Sequence, residues 1–372
     1  MGNDPNPNPR GGVAATVGWG LFCTASWTWC IGMFFPLLLL RDYGWPGLVA
    51  FLVPNAVGCA AFGYVLDRDA ATRLRERHAP ATVAFSAITL AYQLFFLAAI
   101  FGATVSAPSA VPPAWIAGGS AMALALVLSG LPDRWWPWLG TAAVAFSLSL
   151  WVRLDAGALL RLPAGGERPL VDLLATMPML AFGFLLCPYL DLTFHRALDR
   201  SPSRHAFGVF GVAFLVTILA GALYFLPDGL RIPAVLGAFA VQLTFTSAAH
   251  VREIRLARVP FGRARRQATL LVPAIAGIGL GGAVGGLGLP FEKLYLLFLG
   301  CYGTVLPAYV WLLVAGRSNA PSRGTLLAFA ATAAIATPPA VAAVLGGPRW
   351  LLAASVGILL VARFAFPVAR RA

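Results

Sequence analysis

Lysine is all but missing from this chain: Lys293 stands alone among 27 basic residues, and charged side chains of either sign make up only 11% of the sequence. With 59% hydrophobic residues over 372 positions, the chain is too apolar for a soluble globular protein. The four histidines (His78, His195, His205, His250) show no ligand spacing, and the five cysteines (Cys23, Cys30, Cys59, Cys187, Cys301) lie within apolar runs. Neither a disulfide frame nor a zinc-type centre is expected, and the cysteines read as small, buried and reduced. Ionisable residues are almost absent from mid-run. Asp67, Asp191, His195, His250, Glu253 and Glu292 all stand near run ends, so a carboxylate-based proton pump is not expected. Gly277-Ile-Gly-Leu-Gly-Gly282 is not a nucleotide loop, because no strand precedes it and no lysine follows; it lets its helix pack closely on a neighbour. The loops are too short to hold a catalytic domain. Function has to lie between helices, and no organic cofactor or enzymatic centre is expected.

What the chain does have is a net charge of +13 and long apolar runs. The arginines fall in short clusters between those runs, with no basic helix face or aromatic-basic platform, so membrane topology explains them and a nucleic-acid partner does not. A bilayer core takes about 20 apolar residues per helix, and about twelve such runs are present: 12–40, 47–66, 81–105, 114–131, 136–152, 170–190, 207–226, 231–250, 268–287, 291–315, 324–345 and 349–368. Arginine gathers after the even runs, at 68–77, 196–204 and 252–266 and again at Arg134, Arg317, Arg323, Arg370 and Arg371. Odd-numbered loops are poorer in it, although 153–169 departs from the trend with Arg153, Arg161 and Arg168. By the positive-inside rule both termini are cytoplasmic, as for an integral protein of a bacterial cytoplasmic membrane. Residues 1–11 read as a polar, proline-rich cytoplasmic tail without a cleavable signal.

Two runs are interrupted alike. The first contains Thr24-Ala-Ser-Trp-Thr-Trp-Cys-Ile-Gly-Met-Phe-Phe-Pro36, with three hydroxyls, two tryptophans and a Gly32–Pro36 pair; the sixth contains Met177-Pro-Met-Leu-Ala-Phe-Gly-Phe-Leu-Leu-Cys-Pro188. Glycine and proline weaken a helix, which places breaks at Cys30-Ile31-Gly32 and Phe182-Gly183-Phe184. The third run carries Tyr92-Gln93 near its middle, and the eighth carries Gln242 and Thr244. Broken runs match broken runs, and polar pairs match polar pairs, as in two inverted copies of one five-helix unit. The division is then 12–152 for the first repeat, 170–316 for the second, and 323–372 for two further helices with a short tail. Unwound carbonyls around Trp27 to Cys30, facing the adjacent hydroxyls of Thr246 and Ser247, suit a sodium ion; alternatively those hydroxyls bond back to their own helix. Asp191 and Arg196, at the inner end of the sixth run, form either an intracellular gate or a static ion pair.

The hydroxyl-rich first run, the Pro54-Asn-Ala-Val-Gly58 opening of the second, the broken sixth run and the Thr246–Ser247 pair resemble the sodium:solute symporters. More broadly they resemble the LeuT-type inverted-repeat superfamily of small-solute carriers. The resemblance implies an all-α membrane fold of five plus five helices with two more at the C-terminus. It implies secondary transport by alternating access, a small-molecule solute and the lipid bilayer as partners, and sodium as a coupling ion. Carried onto this sequence, it implies substrate contacts from Ser26, Trp29, Gly32, Tyr92, Gln93, Phe182, Gly183, Phe184 and Gln242, with sodium at Thr246 and Ser247. A transporter-like sensor acting with a separate partner, and a membrane enzyme on lipid substrates centred on Asp191 and His195, stand as alternatives.

Overall fold

The computed structural model describes residues 9–105, 111–149, 156–223, 232–257, 259, 262–315 and 320–366. The N-terminal tail up to residue 8 and the topology arginines Arg153, Arg231, Arg258, Arg317, Arg370 and Arg371 lie outside the described residues. Every regular element among the described residues is a helix.

The first apolar run folds as α1 (Pro9–Trp27) and α2 (Cys30–Tyr43), bent by 63° against each other. The second is α3 (Trp45–Leu52), a π-helical turn (Val53–Gly58) and α4 (Cys59–Val65), in one line. Pro54 brings no N–H to the helix ladder, and a widened turn is a common way to absorb that loss. The short polar α5 (Arg68–Arg77) starts on Asp67, whose carboxylate accepts from Ala70 N at 2.6 Å. α6 (Ala79–Thr104), α7 (Pro113–Leu128) and α8 (Trp136–Ser149) complete the first half. The sixth run divides into α9 (Leu170–Leu186) and α10 (Leu192–Arg200), separated by a 3₁₀ turn at Cys187–Tyr189. α11 (Ala206–Ala222), α12 (Ile232–Leu256), α13 (Arg263–Leu287) and α14 (Phe291–Tyr309) follow, the last ending in a π turn at Val310–Val314. α15 (Arg323–Val344) and α16 (Trp350–Ala365) close the chain.

Among the described residues seven helices are long and apolar enough to cross a membrane, or up to 8 with α1 and α2 taken as one bent span; α7, α11 and α16 are apolar but shorter. The expected count of twelve spans is not reached by that measure. α8 borders a stretch outside the described residues, and α7 and α11 come within two residues of one. Apolar side chains such as Trp138, Val212, Ile275, Leu327 and Val361 point outward. Scattered around several helices, they suit hydrocarbon better than water.

The centre of the bundle is set by α6. Gly277 and Gly281 of α13, one turn apart, let that helix lie directly on α6: a Cβ at either would come within 2.3 Å of the Ala91 carbonyl or 2.4 Å of the Phe95 carbonyl. The neighbour that the glycine-rich stretch packs against is therefore α6, with α12 and α7 on its other sides. Against this scaffold lean the two interrupted helix pairs, with α1 touching α8, α10, α11 and α12.

Candidate functional site

The break in the first helix falls at Thr28–Trp29, two residues before the expected Cys30–Gly32, and Gly32 lies inside α2. Local hydrogen bonds decide its place. Thr28 Oγ1 donates to the Thr24 carbonyl at 2.6 Å and Ser26 Oγ to the Cys23 carbonyl at 3.2 Å. Trp29 Nε1 donates to the Ser26 carbonyl at 2.5 Å. Such bonds compete with the helical ladder. Trp29 N turns back to the Trp27 carbonyl at 2.8 Å, so the Ala25 carbonyl loses its helical donor. Thr246 Oγ1 of α12 reaches that carbonyl at 3.1 Å, as well as the Gln242 carbonyl of its own helix at 2.9 Å. The freed Cys30 N–H finds Gln93 Oε1 of α6 at 3.3 Å. Both orphaned groups of the broken helix are thus met by the scaffold.

The sixth helix breaks at Cys187–Asp191, and α9 runs straight through the expected Phe182–Phe184 position. A helical glycine alone does not open a helix, whereas Pro188 removes a donor. The donor it removes is the one for the Phe184 carbonyl, which accepts instead from Cys59 Sγ at 3.0 Å. Below the break, Asp191 caps α10 by accepting from Thr193 N at 2.7 Å. Thr193 Oγ1 then donates to Ser26 Oγ of α1 at 3.1 Å, tying the two broken helices together. Asn55, in the π turn, accepts Trp27 Nε1 at 2.7 Å.

Between the breaks lies a cavity of about 80 Å³. Of the residues implied by resemblance, Trp29, Gly32, Gly183 and Phe184 line it, beside Trp27, Phe35, Asn55, Tyr302 and Gly303. Among the described residues none that lines it is charged. At Gly183 and Gly303 an added Cβ would meet nothing within 4 Å, so both glycines open onto free space. Ser26, Tyr92, Gln93, Phe182 and Gln242 do not line the cavity. Ser26 is held by Thr193, and Gln93 by the Cys30 amide. Tyr92 donates to the Tyr295 carbonyl at 3.1 Å and stacks on Phe298 at 3.9 Å. Phe182 turns to the far face of α9, against Trp311. Phe35, Tyr302 and Gly303 were missed because nothing in their local sequence separates them from ordinary packing residues.

Thr246 and Ser247 are fully buried, and Ser247 Oγ and both polar atoms of the Gln242 amide have no hydrogen-bond partner among the described residues. The Ala25 carbonyl meets the Thr246 hydroxyl, and the Ser247 hydroxyl and Gln242 amide stand on the same helix one residue and one turn from Thr246, a set of neutral oxygens. That set fits sodium better than a transition metal. Among the described residues no group of three His, Cys, Asp or Glu gathers as a metal site.

Asp191 and Arg196 do not pair. Asp191 is occupied as a cap, and five residues on, Arg196 has turned to another face of the helix. Arg196 pairs instead with Glu253 of α12, its guanidinium lying 5.3 Å over the Trp136 ring. Around them, Asp133 binds Arg252 at 2.6 Å and Arg200 at 2.8 Å, and Arg75 of α5 pairs with Asp199. Burial would raise the Asp133 carboxyl, but the Arg252 hydrogen bond and the charges of Arg196, Arg200 and Arg252 hold it below its ordinary value. Arg75, Asp133, Arg196, Asp199, Arg200 and Glu253 wall a vestibule of about 390 Å³ at the α5 end. At the other end Arg41 of α2 grips Glu292 of α14 with two bonds of 2.8 and 2.9 Å, and Asp42 holds Arg168 at 3.0 Å. Ion pairs thus bridge the helices at both ends of the bundle.

No protein-family model matches the sequence, nor does any curated protein. Among solved structures, a sodium-coupled sialic acid symporter in its substrate-bound, outward-open state superposes with a TM-score of 0.55 at 12% identity, over 96% of this chain and 91% of that one. A nucleobase-cation-symport-1 family transporter, closed around bromovinylhydantoin, gives 0.45 at 14% identity over 96% and 94%. The first likeness spans nearly the whole chain and shows the fold, which is the LeuT-type fold that the sequence resemblance implied.

Proposed function

We propose that this protein is a secondary active transporter that moves a small, uncharged organic solute across a membrane by alternating access, coupled to sodium. It is a carrier and not an enzyme. The observation that carries the reading is the meeting of Thr246 Oγ1 with the Ala25 carbonyl. A carbonyl freed by a broken helix, deep in an apolar bundle, is tolerated where it lines a cavity or an ion site. Thr246, Ser247 and the Ala25 carbonyl would hold the sodium ion. The neighbour of matching fold is a sodium-coupled symporter, which supports the same choice.

The solute occupies the cavity between the breaks. Its walls offer rings from Trp27, Trp29, Phe35, Phe184 and Tyr302, the Asn55 amide and no charge, so an ionic solute would lie there without a counter-charge, at a high desolvation cost. Residues 12–152 and 170–316 act as two inverted repeats, with 323–372 as two further helices and a short tail, and both termini in the cytoplasm. Opening one end requires breaking Arg41–Glu292, and opening the other requires breaking Arg196–Glu253.

The test is thermal stability of the detergent-purified chain in sodium against choline at equal ionic strength. A ligand that binds only the folded state raises the midpoint by mass action. Sodium is expected to raise it, and Thr246→Ala to abolish the shift. An unchanged midpoint in sodium removes sodium coupling from this reading.

A further inference from the structure

Asp191 stands near a run end in the sequence, but the structure places it at the break between α9 and α10, fully buried. One carboxylate oxygen caps Thr193 N, and the other has no hydrogen-bond partner among the described residues. No ion pair found among the described residues includes Asp191; the buried arginine on the same helix, Arg196, is committed to Glu253. An ionised carboxylate buried without a partner is too costly to persist, so the group either takes up a proton or holds a cation.

The surroundings separate those two choices. Cys23 of α1, Cys59 of α4, Cys187 of the 3₁₀ turn and Tyr302 of α14 lie within electrostatic reach of the carboxyl, as does Glu253 of α12. On its own helix follow His195, bonded through Nε2 to the Tyr189 carbonyl, and Arg196. Thiols and a phenol are poor ligands for a hard cation, which takes oxygen, and the two hydroxyls at the break, Thr193 Oγ1 and Ser26 Oγ, are engaged with each other and with the Cys23 carbonyl. A proton needs no such cage.

Asp191 lines neither of the two spaces, but residues on either side of it do. Cys187, one turn before Asp191, lines the central cavity, while Leu192, the next residue, lines the vestibule beside Arg196 and Glu253. Asp191 therefore sits in the septum between solute site and vestibule, and Thr193 and Ser26 link it to the broken first helix.

We propose that Asp191 is a proton-binding site in this septum, carrying a proton in the closed state and passing it to vestibule water when α10 moves away. The carboxylic O–H bond breaks, the electron pair stays on the carboxylate, and water accepts the proton. As a device of transport this rests on the carrier reading above, but occupancy of the site by a proton does not.

The test is infrared spectroscopy of the purified full chain near neutral pH, following the C=O stretch of protonated carboxylic acids. Asp191→Asn keeps an oxygen that can cap α10 and so retains the fold, which circular dichroism checks; Asp191→Glu serves if it does not. Glu253→Gln, its fold checked in the same way, controls for the buried carboxyl of the vestibule; Asp42, also buried, is ion-paired with Arg41 and Arg168. A protonated-carboxyl band in the wild type and in Glu253→Gln, lost in Asp191→Asn or moved in Asp191→Glu, is the expected result. Absence of the band from the wild type, or its persistence unmoved in the Asp191 variants, overturns the proposal. A failed sodium shift together with an intact band would remove sodium coupling and leave the proton site standing.

Discussion

Cys59 Sγ lies 3.0 Å from the Phe184 carbonyl, the acceptor that Pro188 leaves without a helical donor. A buried thiol on the second helix thereby stabilises a break in the sixth. Asn55, one turn earlier on the same helix, holds the first break through Trp27. Asn55 of the π turn and Cys59 at the start of α4 thus serve one broken helix each and make one unit of them.

Cys59→Ala is therefore expected to leave the Phe184 carbonyl unsatisfied in an apolar interior, at a cost of about 1–3 kcal/mol. Cys59→Ser, which keeps a donor of similar size, should retain most of the stability. Thermal unfolding of the purified variants separates the two. Equal midpoints for alanine and wild type would mean that the thiol contact carries no weight.

Glu253 and Arg196 form the innermost pair of the vestibule, and both are largely buried. Glu253→Gln strands the guanidinium, for which about 3–5 kcal/mol of destabilisation is expected, whereas replacing both partners by apolar residues of similar volume should recover much of it. The measurement is the thermal midpoint of Glu253→Gln against the double variant Glu253→Leu/Arg196→Met. A double variant no better than the single would show that the pair is not an isolated unit.

The membrane fold and the pairing of interrupted helices could be read from apolar run lengths and from Gly and Pro placement. The positions of the breaks could not. Gly32 and Gly183 drew attention as helix breakers, yet both sit within intact helices. A glycine weakens a helix by about 1 kcal/mol, which surrounding packing overrides, whereas Pro188 and the Thr24–Thr28 hydroxyls remove or replace ladder bonds. Asp191 and Arg196 looked like partners from proximity in sequence. Arg196 meets Glu253 across a gap of more than fifty residues, visible only once α10 and α12 are packed. Thr246 was legible through its hydroxyl neighbour, Ser247. Its actual partner, the Ala25 carbonyl, carries no side-chain signal.

Two kinds of glycine now separate. Gly183 and Gly303 face open cavity, while Gly277 lies with its Cβ position 2.3 Å from the Ala91 carbonyl. Gly183→Val and Gly303→Val are expected to change stability by no more than about 0.5 kcal/mol and to abolish solute uptake by filling the site. Gly277→Val should destabilise by about 1–3 kcal/mol or more, because it forces two backbones apart. Thermal midpoints alongside uptake in reconstituted vesicles make the comparison. Normal uptake in both cavity variants would move the solute site elsewhere.

The junction of α5 and α6 carries a pH dependence of its own. His78 is buried there, ahead of the α6 span, with Nδ1 at 3.1 Å from Tyr309 Oη. Burial, and next to it the charge of Arg77, lower its pKa from 6.5 to about 4. Unfolded chains bind the proton near pH 6.5, but the folded chain resists it until about pH 4. Between those values the unfolded state holds more protons, so stability rises with pH across the window. The contribution is complete above about pH 6.5 and falls away as the pH drops towards 4. His78→Gln, which offers an amide to Tyr309 and does not titrate, should flatten the profile of midpoint against pH within that window while leaving the shape above it unchanged. Parallel profiles for wild type and variant would mean that His78 protonates as readily folded as unfolded, and that the junction opens to water before the rest of the bundle.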